Sequence, residues 1–126
     1  MINTLLSVAL GGALGASARY LSGVAIMRGL GSHVFPLGVI AVNIFGSFLM
    51  GALVIFIGQK GLGHYNAFLA TGVLGGFTTF SSFSLESWRL FETGRADLAA
   101  LYVLLSVGLS LLGLVLGVTL MRALLT

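Results

Sequence analysis

The architecture of this chain follows from residues 72–86, which read GVLGGFTTFSSFSLE. Gly75 and Gly76 are followed closely by Thr78 and Thr79, and both glycine and threonine are poor helix formers. All of this stretch except its last residue, Glu86, nevertheless belongs to an uncharged run, residues 61–85, that is long enough to cross the hydrocarbon layer as a helix. A helix interrupted at that depth frees backbone carbonyls, which persist only where protein, water or an ion satisfies them. The sequence therefore predicts a membrane helix that is broken near its middle.

The composition of the chain indicates that its solvent is lipid. Of its 126 residues, 58% are hydrophobic and 7% are charged, whereas a soluble domain carries roughly 25% charged residues. Charged residues are absent from four long runs, residues 1–18, 29–59, 61–85 and 98–121. Each run matches the roughly 18 to 20 apolar residues that a membrane-spanning helix needs. We expect an all-α membrane protein with a single domain, residues 1–126, and four transmembrane helices at about 2–27, 36–57, 66–90 and 98–125.

The same composition argues against several classes of function. The chain has no cysteine, hence no disulfide and no thiolate metal site. Its net charge of +3 is spread too thinly for nucleic-acid binding. The sequence shows no nucleophile–base pair and no side-chain metal cluster, so an enzyme is not expected, and His33 and His64 are predicted to be solvated loop residues. The first span lacks the basic start and the cleavage site of a signal peptide, and we expect it to stay in the mature protein.

Four short spans enclose little space, so we expect the chain to form an oligomer. Glycine accounts for 19 of the 126 residues, and three pairs of small residues are spaced to let helices approach closely. The pairs lie at residues 11 and 15, 47 and 51, and 113 and 117. They indicate tight helix contacts, either within one chain or between chains, without identifying an interface.

The positive charges are nearly balanced across the expected membrane. Lys60 and Arg122 fall on one side, and Arg28, Arg89 and Arg95 fall on the other. Because a Lys/Arg bias sets how a protein inserts, so small a bias permits both orientations and thus an antiparallel, dual-topology homodimer. The twofold axis of such a dimer lies in the membrane plane. There the breaks of two third spans can meet, and their carbonyls can converge on a cation.

Aromatic and hydroxyl side chains alternate after the break. Phe80 and Phe83 share one helical face, and the positive edges of their rings suit an anion without offering it a full positive charge. The accompanying hydroxyls, which donate hydrogen bonds in place of water, belong to Thr79, Ser81, Ser82 and Ser84. A stripe of Phe residues in a membrane helix more often packs in a core, but the clustered hydroxyls and the glycine break shift the interpretation considerably towards an anion path.

Two other spans contribute polar groups at matching positions. Asn43 lies within the second span, where its amide either donates to an ion or forms an interhelical hydrogen bond. In the fourth span, Tyr102, Ser106 and Ser110 recur at i, i+4 and i+8 and form a stripe of hydroxyls. Taken alone, such a stripe more often packs against another helix than lines a pore.

Arg19 and Glu86 are the two charged residues expected within the membrane, where an ionisable side chain is a candidate functional group. Both fall toward the same side of the bilayer, because the first and third spans end there. Two interpretations stay open. The two side chains form an ion pair within one subunit, or Arg19 attracts anions into a vestibule.

Residues 75–84, which read GGFTTFSSFS, strongly resemble the signature of the Fluc (CrcB) family of fluoride channels. Residues 11–20, which read GGALGASARY, resemble the first-span motif of that family. PLG at residues 36–38, NIFG at residues 43–46 and Gly51 are similar to its second-span motif. The resemblance covers nearly the whole chain, in order, and the three motifs together are specific. One departure is Ser82, where the family more often has Thr; it keeps the hydroxyl and loses a methyl.

The resemblance implies a fluoride-selective channel in the inner (plasma) membrane of the cell. The channel would be an antiparallel homodimer with two fluoride pores and a central structural Na+. The resemblance assigns the fluoride path to Asn43, Phe80 and Phe83, and it places Arg19 near a pore entrance. The polar track of the pore would be supplied by Ser81, Ser82, Ser84, Tyr102, Ser106 and Ser110. The Na+ would lie on the backbone carbonyls of Gly75 and Thr78 from both chains.

The expected activity is passive, proton-independent export of fluoride. Neutral donors and ring edges bind a small, tightly hydrated anion strongly enough to let it enter and weakly enough to let it leave. Two other functions stay open. A four-span drug/proton exchanger carries a Glu in its first span, where this chain has Arg19 and no carboxylate. An accessory subunit beside a larger partner needs neither a broken helix nor a hydroxyl track.

Overall fold

A computed structural model describes residues 1–31 and 35–126, and every regular element in these ranges is helical. His33 lies outside the described residues. The order of elements is α1 (Ile2–Leu30), α2 (Leu37–Lys60), a 3₁₀ turn (Gly63–Tyr65), a π-helical segment (Ala67–Leu74), α3 (Gly75–Phe77), α4 (Phe80–Glu92) and α5 (Ala96–Leu125). The all-α prediction is confirmed, and the helices agree with the four predicted segments to within a few residues at each end.

Three stretches of the described chain are long and apolar enough to cross a membrane. They are Leu37–Lys60, Gly63–Glu92 and Ala96–Leu125. Helix α1 is of similar length, at 29 residues, but Arg19 and Arg28, together with several glycines and serines, make it less apolar. That α1 also crosses the membrane therefore stays a prediction.

The predicted interruption of the third helix is present. Helix α3 ends at Phe77, and the backbone is extended at Thr78 (φ −84°, ψ 158°) and at Thr79 (φ −149°, ψ 119°). The chain becomes helical again at Phe80, where the Thr79 side chain caps α4. Gly75 and Gly76 themselves remain helical. The break thus falls on the two threonines rather than on the glycine pair before them.

Glycines bring the helices together in two pairs within the chain. Helix α1 packs on the π-helical segment and α3, where a Cβ at Gly11 would lie 2.9 Å from the Cα of Gly72. Helix α2 packs on α5, where a Cβ at Gly113 would lie 3.2 Å from the carbonyl oxygen of Ile44. Of the two readings left open for these glycines, the structure therefore shows the contact within one chain.

The interior of the protomer is small, and its outer faces are apolar. A core of Ile40, Leu90, Ala99 and Tyr102 lies near the junction of α2, α4 and α5. Leucines on the outer sides of α1 and α5 are largely exposed. So much exposed apolar surface is suited to lipid or to a second protein chain rather than to water.

Candidate functional site

The break lies beside a groove of about 220 Å³ between α2, α4 and α5. Of the predicted pore residues, the groove brings together Asn43, Phe80, Phe83, Ser106 and Ser110. Its remaining lining residues are Ser47, Thr78, Thr79 and Val107. Apart from backbone groups, the groove offers only neutral hydroxyl and amide groups and aromatic rings.

Two aromatic rings, those of Phe80 and Phe83, line the groove. The ring of Phe80 lies 5.4 Å from that of Phe83, and the two are tilted by 58°. Phe83 in turn stacks on Tyr102, with ring centroids 5.6 Å apart, and Phe35 contacts Tyr102 edge-on at 5.4 Å. Phe83 is therefore held by the core, whereas Phe80 is 77% exposed in the single chain.

Asn43 pairs with the backbone of Thr79 in both directions. The Thr79 N–H donates to Asn43 Oδ1 at 2.8 Å, and Asn43 Nδ2 donates to the Thr79 carbonyl at 2.9 Å. The amide side chain thereby takes the place of a peptide group beside the extended residue. The interhelical hydrogen bond that was one of the two readings of Asn43 is formed, and Asn43 also lines the groove.

The hydroxyls predicted for the polar track separate into groups. Ser106 and Ser110 line the groove on α5, whereas Ser82 lines a second cavity on the other side of the break. Ser81 and Ser84 lie on the exposed side of α4. Ser84 Oγ donates to the Phe80 carbonyl at 3.0 Å. The structure of one protomer thus brings together only part of the track.

Two hydroxyls of the α5 stripe are buried without a hydrogen-bond partner. Tyr102 is fully buried and Ser106 is 5% exposed. Neither the phenol of Tyr102 nor the hydroxyl of Ser106 has a hydrogen-bond partner of good geometry among the described residues. A buried polar group left unpaired costs free energy. Of the two residues, only Ser106 lines the groove, so its hydroxyl is the one placed to donate to a small species bound there.

The second cavity, of about 440 Å³, lies between α1 and α2 and is lined mainly by apolar residues. Its polar side chains include Arg19, Thr79, Ser82 and Glu86. Arg19 Nε donates to the Gly76 carbonyl at 3.2 Å, and Glu86 forms an ion pair with Arg89 at 3.5 Å. Arg19 and Glu86 thus share a cavity while each is bonded to a different partner.

The two residues predicted to hold a cation, Gly75 and Thr78, lie just before the break and at its start. No group of three or more His, Cys, Asp or Glu side chains able to hold a metal occurs in residues 1–31 and 35–126. Gly75 is exposed on the surface of the protomer. The Thr78 hydroxyl and N–H both donate to the Leu74 carbonyl, and the Thr78 carbonyl belongs to the extended backbone.

A family model described as CrcB-like protein, Camphor Resistance (CrcB), matches residues 6–118 of this chain. The chain belongs to the CrcB family. Its CrcB relatives include a protein of Ruegeria sp. (strain TM1040) named fluoride-specific ion channel FluC, which is 58% identical over all of both chains. Proteins of the same name from Cereibacter sphaeroides (strain ATCC 17029 / ATH 2.4.9) and Roseobacter denitrificans are 60% and 49% identical, respectively. The alignment with the Cereibacter sphaeroides protein covers 97% of each chain, and that with the Roseobacter denitrificans protein covers 96% of this chain and 97% of the relative.

Membership in the CrcB family, with several apolar helices, makes this chain a multi-pass membrane protein. The relatives compared above are named as ion channels and not as enzymes. Two features of this CrcB chain were missed in the sequence. Ser47 lines the groove one helical turn after Asn43, a spacing that is visible in the sequence. Arg19 donates a hydrogen bond to the Gly76 carbonyl just before the break, which no sequence signal indicated.

Proposed function

We propose that this protein is a fluoride-selective ion channel that exports fluoride passively across the inner membrane of the cell. Four spans per chain form an antiparallel, dual-topology homodimer with two pores and a central structural Na+. The observation that carries the proposal is the groove beside the break, where Asn43, Phe80, Phe83, Ser106 and Ser110 meet. The names of the CrcB relatives support fluoride as the ion.

The chemistry of the groove suits a small anion that must be dehydrated and released quickly. Hydroxyl and amide N–H groups replace water, and the positive edges of phenyl rings add a weak attraction. A full positive charge at the same place would hold the anion too firmly, because conduction requires binding that is also easily reversed. In the groove itself, the described lining residues are all uncharged.

A second copy of the chain would complete the pore. Phe80 is mostly exposed, and the groove is open on one side of the protomer. Ser81 and Ser84 face outward from the same helix. A partner packed against this surface would cover the ring of Phe80 and bring these hydroxyls to the path. The nearly even distribution of Lys and Arg supports a partner of opposite orientation.

The break has the donor set for a structural Na+. Backbone carbonyls of Gly75 and Thr78 from two chains would hold it, and oxygen ligands are those that hard cations prefer. The bound cation would supply positive charge that balances carbonyl dipoles at the centre of the dimer. The chain's own residues set the geometry, since the Thr78 carbonyl belongs to the extended backbone and the Gly75 carbonyl to the short helix just before it.

Efflux of fluoride from liposomes that contain only the purified protein tests the proposal, with chloride as the control ion. We expect fluoride to leave and chloride to remain, and we expect Phe80→Ala, Phe83→Ala and Asn43→Ala to slow fluoride efflux strongly. Unchanged fluoride efflux in all three variants would reject the assignment of the pore. An accessory subunit would give no flux by itself, and a drug/proton exchanger would show transport that depends on a proton gradient.

A further inference from the structure

We propose that Asn43 and Thr79 are positioning residues for the cation site. Their side chains accept hydrogen bonds from the N–H groups of Thr79 and Ser82, which in a continuous helix would bond the carbonyls of Gly75 and Thr78. This inference rests on the proposed Na+ site. It concerns how this chain prepares the site before any cation or second chain is present.

The argument begins with the hydrogen-bond pattern of a continuous helix. There the carbonyl of residue i accepts from the N–H of residue i+4. Gly75 would accept from Thr79, and Thr78 would accept from Ser82. A carbonyl that already accepts a hydrogen bond has less capacity to bind a cation. Whether the carbonyls of Gly75 and Thr78 are available therefore depends on which acceptors the N–H groups of Thr79 and Ser82 bond.

The N–H of Thr79 bonds a side chain of helix α2 instead of the Gly75 carbonyl. It donates to Asn43 Oδ1 at 2.8 Å, and Asn43 Nδ2 returns a bond to the Thr79 carbonyl at 2.9 Å. The two bonds fix Thr79 in an extended conformation. The carbonyl of Gly75 thereby loses its helical donor.

The N–H of Ser82 bonds the side chain of Thr79 instead of the Thr78 carbonyl. It donates to Thr79 Oγ1 at 3.1 Å, which is the usual bond of a residue that caps a helix N-terminus. The carbonyl of Thr78 thereby loses its helical donor as well. Thr79 contributes to both events, through its backbone to Asn43 and through its hydroxyl to Ser82.

The carbonyl of Gly76, which follows Gly75 in the chain, does accept a hydrogen bond. Gly76 accepts a hydrogen bond from Arg19 Nε at 3.2 Å, so its oxygen is already engaged by a cationic side chain. The structure therefore distinguishes Gly75 from Gly76 although they are adjacent glycines in one helical turn. We infer that Gly75 responds to a cation and that Gly76 does not.

The test measures thermal unfolding of the purified dimer in detergent while Na+ replaces N-methylglucamine at constant ionic strength. Thr79→Val keeps the shape of the side chain and removes the Oγ1 acceptor, and Thr79→Ser is its matched control. Asn43→Ala removes the acceptor for the Thr79 N–H and the donor to the Thr79 carbonyl. Because one hydrogen bond contributes about 0.5–1.5 kcal/mol, we expect the Na+ concentration at half-maximal stabilisation to rise about two- to tenfold in Thr79→Val and Asn43→Ala. The control variant Thr79→Ser should stay close to the wild type.

The wild-type protein gives a second readout that does not depend on the folding of a variant. With 13C-labelled glycine carbonyls, Na+ should shift the signal of Gly75 and leave that of Gly76 unchanged. A shift of equal size at both glycines would overturn the proposal. So would a stabilising Na+ effect whose midpoint is the same in all variants.

The outcomes separate this inference from the proposed function. A wild-type protein whose stability is indifferent to Na+ removes the cation site and this inference with it, while fluoride efflux from liposomes would still support the channel. A clear Na+ effect with unchanged variants would remove the inference alone.

Discussion

The side chain of Thr78 occupies the space that a side chain at Gly46 would need. A Cβ built at Gly46 overlaps Cγ2 of Thr78 and lies 3.2 Å from Cδ2 of Phe77. Helix α2 therefore approaches the break closely enough to hold Thr78 by shape, one helical turn after Asn43 holds Thr79 by hydrogen bonds. The conformation of the break is set by contacts within one chain.

The first prediction concerns that contact. Gly46→Ala should displace Thr78, lower the thermal unfolding temperature of the protein and reduce fluoride efflux, since overpacking at such a site costs about 1–3 kcal/mol. Gly58→Ala is the matched control on the same helix, because a Cβ there meets nothing within 4 Å. Equal unfolding temperatures for the two variants would show that the space beneath Thr78 is not restrictive.

The second prediction separates the roles of the two phenylalanines. Phe83→Ala should slow fluoride efflux and also lower the unfolding temperature, because its ring stacks on the buried ring of Tyr102. Phe80→Ala should slow efflux with a smaller loss of protomer stability, since Phe80 is mostly exposed in the single chain. The measurements are liposome efflux and thermal unfolding of each purified variant. A larger loss of stability in Phe80→Ala would contradict the assignment.

The third prediction uses the unpaired hydroxyls of α5. Tyr102→Phe and Ser106→Ala remove buried polar groups without described partners, so they should leave the free energy of unfolding unchanged or raise it, by up to about 1–3 kcal/mol. Both should nevertheless slow fluoride efflux if the hydroxyls donate to the passing ion. Denaturation in detergent and efflux assays check the two halves. A marked loss of stability would indicate that these hydroxyls are satisfied within the protein.

The fourth prediction concerns the packing of α2 on α5. Gly117→Ala should destabilise the protomer itself, because a Cβ there overlaps the carbonyl oxygen of Phe48. Gly108→Ala on the same helix meets nothing within 4 Å and serves as the control. Thermal unfolding of both variants is the measurement. If Gly117→Ala instead leaves the fold intact and dissociates the dimer, the glycine belongs to the contact between chains.

The sequence predicted the helical fold and the existence of the break but not its position within the segment. The poor helix formers at residues 75–79 marked the region, yet Gly75 and Gly76 stay helical and the backbone opens at Thr78 and Thr79. The reason lies in tertiary contacts. Asn43 offers a donor and an acceptor at the level of Thr79, and no pattern within the third span reveals which residue its neighbour will bond.

The candidate site was predictable to the extent that its residues share a helix face. Phe80 with Phe83, and Ser106 with Ser110, follow from helical spacing and lie in the groove together. Ser82 lies only two residues from Phe80 but faces the other cavity with Arg19. The bond from Arg19 to Gly76 joins residues 57 positions apart, and such a contact depends on how α1 packs, which composition and spacing do not specify.

The pairing of Asn43 with Thr79 has a consequence for biogenesis. An extended backbone facing hydrocarbon leaves polar groups unpaired, at several kcal/mol each, so the third segment is a poor candidate for entering the bilayer alone. The second segment brings the amide that removes this penalty. Segments two and three should therefore leave the translocon as one hairpin, and replacing Asn43 should impair insertion of the nascent chain even before any ion is present.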